Sequence, residues 1–163
     1  MLQPVLVIEM LLLLAIANGA PIAAKRLMGD RLSRPLDGGG LFFDGKPLLG
    51  PSKTIRGIVV AVASTLLASI LIGERWTAGL VVGVTSMLGD LVSSFVKRRL
   101  GLASSARATG LDQVPEVLLP ALAAMPLLGL TWTDVAAVVV IFCVGEIVLS
   151  KWLYRIGFRD EPH

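Results

Sequence analysis

The chain has 163 residues, 55% hydrophobic and only 17% charged, with a mean hydropathy of +0.79. A soluble domain carries about 25% charged residues, so this chain has too little polar surface for a water-soluble globule. Composition therefore excludes an ordinary cytosolic enzyme and a disordered protein in favour of an integral membrane protein. The one cysteine, Cys143, lies in an apolar run and excludes a disulfide framework and a cysteine metal site. The single histidine is His163, the last residue, which argues against histidine catalysis and zinc ligation. A net charge of +3 is a weak signal for nucleic acid, and none is expected as a partner.

In chain order, five apolar stretches predict membrane-spanning helices, each needing roughly 20 residues to cross about 30 Å of hydrocarbon. The first runs from Pro4 to Ala24. Met1-Leu2-Gln3-Pro4 offers no Lys or Arg, so the positive start of a signal peptide is missing and the segment reads as a retained helix. A polar connection, Lys25 to Thr54, follows, and the second span runs from Ile55 to Gly73. The third runs from Thr77 to Phe95 and leads into a second polar connection, Lys97 to Gln113. The fourth, Val114 to Leu130, contains Pro115, Pro120 and Pro126 and is expected to be kinked or tilted. The fifth runs from Val135 to Leu153. No internal repeat is visible, and the whole chain reads as one transmembrane domain.

Fourteen of the fifteen basic residues fall in the two long connections, at the entrance to the second span (Arg56) or at the end of the fifth; only Arg75 lies on the other side. The positive-inside rule then places the N-terminus outside, the C-terminus in the cytoplasm and both polar loops on the cytoplasmic face of a cell-membrane protein. The connections at Glu74-Arg75 and at Thr131-Trp132-Thr133-Asp134 read as tight turns on the outer side.

Ionisable residues at membrane depth cost several kcal/mol unless paired or hydrated, so each is a candidate for function. Four occur: Glu9, Asp90, Glu116 and Glu146. Asp90, Ser93, Ser94 and Lys97 stand at i, i+3, i+4 and i+7, one helix face, with Arg98 at its edge. Asp90 then lies roughly 10 Å deeper than Lys97. The stripe predicts the wall of a polar cavity open to the cytoplasm and capped by the two loops; the competing reading is an ion pair at a helix–helix seam. For Glu9 and Glu146, structural pairing and a supporting role remain equally open. Asp112, Gln113 and Glu116 mark the mouth of the fourth span. Asp112 is either a helix N-cap or, with Asp90, one of the two carboxylates that a magnesium ion takes alongside substrate phosphates.

The first loop reads Asp37-Gly38-Gly39-Gly40, Asp44-Gly45 and Gly50-Pro51-Ser52-Lys53-Thr54-Ile55-Arg56-Gly57. Glycine lets backbone N–H groups approach phosphate, and Lys53 and Arg56 supply charge near a helix N-terminus. A Walker A match fails, because two extra residues precede Lys53-Thr54 and no strand comes before them. The alternative is a flexible loop whose cations attract anionic lipid. Without His, Cys or an obvious base in the stripe, chemistry that needs an activated protein nucleophile is disfavoured. Phosphoryl or nucleotidyl transfer, carried by positioning and charge neutralisation, is not. The residues alone lead to a magnesium-dependent enzyme that joins a soluble nucleotide to a lipid phosphate.

Ser94-Phe95-Val96-Lys97-Arg98 resembles the opening of the CDP-diacylglycerol synthase signature, Ser-x-apolar-Lys-Arg. That signature continues to a His-Gly-Gly-x-x-Asp-Arg element, where this chain has Asp112-Gln113-x-x-Glu116. This departure, with Asn18-x-x-Pro21, Asp44-Gly45 and Gly50-Pro51-Ser52-Lys53-Thr54-x-Arg56-Gly57, is similar to the archaeal branch, the CDP-archaeol synthases. The resemblance implies transfer of CMP from CTP to an isoprenoid ether-lipid phosphate, with release of pyrophosphate. It implies Mg2+ on Asp90 and Asp112, and Lys53, Arg56, Lys97 and Arg98 against phosphates. Asn18, Thr54, Gly57, Ser93, Ser94 and Gln113 would complete the substrate-binding set. The rival readings are a diacyl-lipid CDP-diacylglycerol synthase and a small membrane transporter, which would show paired repeats.

Overall fold

The computed structural model describes residues 1–104, 106, 108 and 110–155, with 149–155 by backbone course alone. Arg107, Arg159 and the side chains of Lys151 and Arg155, all part of the basic-residue distribution, lie outside the described residues. The described chain is all-helical, with α1 (Pro4–Met28), α2 (Ile55–Leu71), α3 (Trp76–Arg99), α4 (Gln113–Leu128) and α5 (Trp132–Arg155). Two of these, α1 and α3, are long and apolar enough to cross a membrane; α2 and α4 are shorter apolar helices.

The helix ends follow local chemistry. Helix α1 runs on past Ala24 and carries Lys25 and Arg26 in its last turn, and α3 runs on to carry Lys97, Arg98 and Arg99 in its own. Both place cations on the negative end of the helix dipole. The Thr54 hydroxyl accepts a hydrogen bond from Gly57 N (3.1 Å) and caps α2. Helix α4 contains Pro120 and Pro126 and stops at Gly129, whose left-handed φ of 72° closes its C-terminus.

Helix α3 is central. It packs along α2 on one side and α4 on the other, α1 lies against α2 and α3, and α5 lies against α4 and α1. Small residues allow the close approach. A Cβ on Gly79 would stand 2.5 Å from the Ser69 Cβ and the Thr65 carbonyl, and one on Gly83 would stand 3.0 Å from Val62 Cα. This Gly-x-x-x-Gly seam lets the α2 and α3 backbones touch, as membrane helices do when lipid offers no hydrophobic drive for association. The core joins Met10, Leu13 and Leu14 of α1 to Val82 of α3, Val117 and Ala121 of α4, and Val138 of α5. Large apolar side chains also cover the outside: Val84, Leu88 and Val92 on α3, and Val140, Ile141, Val144 and Val148 on α5. Such an exterior is unfavourable in water and native to hydrocarbon.

At one end of the bundle, the fully buried Asp134 joins the start of α1 to the α4–α5 turn. Its carboxylate accepts from Gln3 N (2.7 Å), Gln3 Nε2 (3.0 Å), Thr131 N (2.8 Å) and Thr131 Oγ1 (2.6 Å). The tight turn read from Thr131 to Asp134 is thus also a reciprocal helix cap. The two long loops, loop 1 (residues 29–54) and loop 2 (residues 100–112), both lie at the opposite end.

Candidate active site

The polar stripe on α3 faces inward. Ser93 and Ser94 are buried, as are Lys97 and Arg98, while Asp90 is half-buried. What it faces is the start of α4. Gly89 permits this, because a Cβ there would collide with the Pro115 carbonyl and approach Glu116 Cα to 2.8 Å. Ser93 Oγ donates to Gly89 O (2.9 Å) and lies 3.5 Å from the Asp112 carbonyl, so Asp112 is set one turn from Asp90 along the stripe.

Two ion pairs occupy this seam. Lys53 Nζ lies 2.5 Å from Asp90 Oδ1, and Lys97 Nζ lies 2.7 Å from Asp112 Oδ1. All four side chains keep some exposure, between 11% and 23%, so the pairs are sheltered without being sealed. Asp112 does not cap α4 with its side chain. Its other oxygen accepts from Ala108 N (2.9 Å), and Lys97 also donates to Ala106 O (3.2 Å), which closes loop 2 around the pair. Gln113, buried, accepts from Gly110 N (2.6 Å) and fixes the same loop. The close approach of α3 and α4 at Gly89 also brings Glu116 beside Asp90, among the charges of Lys53 and Glu146. This placement is not encoded in local spacing.

Loop 1 delivers Lys53. The Asp37 carboxylate accepts from the N–H groups of Gly39 (3.0 Å), Leu49 (2.9 Å) and Gly50 (3.0 Å), drawing the two limbs of the loop together. Leu36 N donates to Lys53 O (2.8 Å) and Ile55 N to Arg34 O (3.1 Å), an antiparallel bridge that pins Lys53 from both sides. Burial pushes the Asp37 carboxyl up, but the amides of Gly39, Gly50 and Leu49 outweigh it and hold the group below its usual range. In the sequence alone, Asp37 reads only as the lead of a glycine run. The Asp-Gly-Gly pattern, a common side-chain-closed turn, was the available signal.

Other expected site residues take different places. The Arg56 guanidinium is buried and donates to the carbonyls of Gly29 (2.8 Å) and Arg31, so it clamps the α1 end of loop 1. Thr54 and Gly57 form the α2 cap. Asn18 donates to Leu14 O within its own helix (3.1 Å) and meets Ser86 Oγ at 3.5 Å, one turn from Asp90 on α3. Arg98 donates to Ala103 O (2.6 Å), and its buried Nε has no hydrogen-bond partner. Arg98 also lines a cleft of about 440 Å3 between the two loops, along with Lys46, Gly50, Pro51, Gly101 and Ser104. Glu9, with an unpartnered buried carboxylate oxygen, lies on α1.

An apolar-coated helical bundle with carboxylates and cations gathered at one end defines an intramembrane protein with a charged centre. A CarS-like CDP-archaeol synthase family model matches residues 4–163. The chain belongs to that CDP-archaeol synthase family. A CDP-archaeol synthase of Sulfurisphaera tokodaii is 35% identical over 153 residues, 90% of this chain and 89% of the relative. One of Aeropyrum pernix is 37% identical over 155 residues, 90% of this chain and 85% of the relative. The fold is similar to a solved structure of an intramembrane enzyme for archaeal membrane lipid biosynthesis. The TM-score is 0.66 at 29% identity, covering 88% of this chain and 91% of the other.

Proposed function

We propose that this chain transfers CMP from CTP to an unsaturated archaeal ether-lipid phosphate, 2,3-di-O-geranylgeranylglycerol 1-phosphate, forming CDP-archaeol and pyrophosphate. Family membership supports the reaction. The observation that carries the site is the pair of lysine–carboxylate contacts, Lys53–Asp90 and Lys97–Asp112, joined through Ser93.

The lipid phosphate is anionic at neutral pH. Its oxygen attacks the α-phosphorus, the bond to the β,γ-pyrophosphate breaks, and no protein base or nucleophile is required. What the chain must supply is alignment and charge. Lys53 and Lys97 reach the triphosphate by turning from carboxylate to phosphate oxygens. Arg98 contributes its guanidinium charge to an anion from the wall of the inter-loop cleft. Arg56, Thr54 and Asp37 hold loop 1 so that Lys53 stays over Asp90.

The donor set suits magnesium, which takes one or two carboxylates and completes its shell with phosphate and water. Among the described residues no three His, Cys, Asp or Glu side chains form a protein-only cage. Asp90 and Asp112 are the proposed ligands, and the ion would neutralise the triphosphate. We place both loops and the site on the cytoplasmic side of a five-span protein of the cell membrane, where CTP is available; the basic-residue distribution supports this.

The test is incubation of the purified chain in liposomes with CTP labelled at the α-phosphorus, with and without Mg2+. Label should enter the digeranylgeranyl lipid only with Mg2+ and more slowly enter phosphatidic acid. No lipid-bound label would overturn the reaction, and equal use of the two lipids would overturn the lipid assignment.

A further inference from the structure

Loop 1 carries a hairpin with two unlike faces. Phe42 N donates to Lys46 O (2.8 Å), Gly45 N to Phe42 O (2.9 Å) and Leu48 N to Gly40 O (2.9 Å), and Leu41 bridges Pro47. Gly45, at φ 74°, makes the turn. The Phe42 ring meets Phe95 of α3 edge-on at 5.3 Å, and the Arg99 guanidinium lies over both rings at 4.6 and 4.9 Å. Arg99 also pairs with Asp44 (2.6 Å) and donates to the carbonyl of Pro47, while Lys46 Nζ donates to Arg99 O (2.8 Å). One face of the hairpin is thus clamped to the last turn of α3. On the other, Leu41 is 68% exposed and Phe43 fully exposed.

This apolar face continues a surface that already belongs to lipid. Val84, Leu88 and Val92 form an exposed row at i, i+4 and i+8 on α3. Phe95 and Arg99 follow three and seven residues after Val92, and Phe42 packs on both. Leu41 and Phe43 therefore carry the apolar row beyond the helix end. The polar groups beside them are largely tied together, Asp44 to the Arg99 guanidinium and Lys46 Nζ to Arg99 O, with Arg99 Nε left without a partner, which lowers the cost of leaving bulk water.

We propose that the hairpin of residues 40–48 is a membrane-interface anchor, with Leu41 and Phe43 seated among lipid headgroups and the first acyl carbons. Phe and Leu are side chains that interfacial amphipathic elements bury at the headgroup–acyl boundary, and binding there scales with the apolar area buried. Through the Asp37 contacts, the anchor holds the Lys53 limb of loop 1 at the depth where a lipid phosphate arrives. The inference rests on the membrane seating of the bundle, not on the identity of the lipid.

The test uses single cysteines at 41, 43 and, as a reference, 92, in a Cys143→Ser background, each spin-labelled in phosphatidylglycerol liposomes. Collision rates with oxygen and with a water-soluble nickel chelate report depth. Labels at 41 and 43 should be oxygen-accessible and chelate-protected, at a shallower depth than the label at 92. Chelate access at 41 and 43 with lipid burial at 92 would overturn the anchor alone. Chelate access at all three would overturn the membrane seating as well. Dipolar broadening between labels at 43 would assign the face to a second copy of the chain and equally overturn the anchor. Because both side chains project from the surface, two independent positions guard against a local folding fault.

Discussion

Lys53 and Asp90 are 37 residues apart in sequence, yet their charged atoms lie 2.5 Å apart. The lysine belongs to a loop held on both sides by backbone bonds, and the aspartate to the polar face of the central helix. The contact therefore couples the depth of α3 to the shape of loop 1. In the proposed reaction such a pair would supply, in one place, a cation for phosphate and a carboxylate for a phosphate-bound metal.

Lys53→Met should lower kcat/KM for CTP by about 10- to 150-fold, the loss expected for a charge-assisted hydrogen bond of about 1.5–3 kcal/mol. Lys53→Arg should recover part of it. Steady-state transfer on liposomes checks this. An unchanged kcat/KM in Lys53→Met would place the phosphates elsewhere.

Gly89→Ala should separate α3 from α4, since the new Cβ meets the Pro115 carbonyl and Glu116 Cα. Overpacking of this kind costs about 1–3 kcal/mol. A lower Tm should be accompanied by slower transfer, because Asp112 and Glu116 move with α4. Gly145→Ala, where a Cβ would meet nothing within 4 Å, should change neither.

The loop-1 clamp has a pH signature. A carboxyl held low in the folded state contributes stability above its unfolded pKa and loses it as pH falls through the folded value. Asp37 has an ordinary value of 3.8 and is held below it. Amide protection at Leu49 and Gly50 should thus be full above about pH 4 and decline below it. Asp37→Ala should abolish it at every pH. Protection that persists in Asp37→Ala would contradict the clamp.

Topology is tested with cysteines placed at Ser33, Ala103 and Arg75 on a Cys143→Ser background. The first two should react with an impermeant thiol reagent only from the cytoplasmic side, and the third only from outside. The reverse pattern would invert the orientation and remove the site from its CTP supply.

Much of this architecture is legible in the sequence, for physical reasons. Asp90, Ser93, Ser94 and Lys97 declare one face because helical spacing is fixed at 3.6 residues per turn, and the structure turns that face inward onto α4. Continuous apolar runs announce the helices, although α1 and α3 continue past the apolar part and α2 and α4 are shorter than the roughly 20 residues a span needs. The pairing of Lys53 with Asp90 is not legible, because it depends on how a loop folds back over a helix 37 residues away. Arg56 shows the same limit. A cation at a helix start suits phosphate and exposed carbonyls equally, and here it binds the carbonyls of Gly29 and Arg31. Glu116 stands out in the sequence as an intramembrane charge, but only the close α3–α4 approach at Gly89 brings it to Asp90.

The most direct test of the central claim, that Asp90 and its lysine form the reacting centre and not a packing contact, is Asp90→Asn measured for transfer and thermal stability on one preparation. The substitution keeps the side chain's size and removes its charge. Lys53 keeps 19% of its side chain exposed and can turn to water once the carboxylate is neutral, so the cost should stay below the roughly 3–5 kcal/mol of breaking a sealed pair. The account predicts a protein that inserts and melts near the wild-type temperature while CMP transfer falls by orders of magnitude at every Mg2+ concentration. A destabilised protein with near-normal turnover per folded molecule would contradict it.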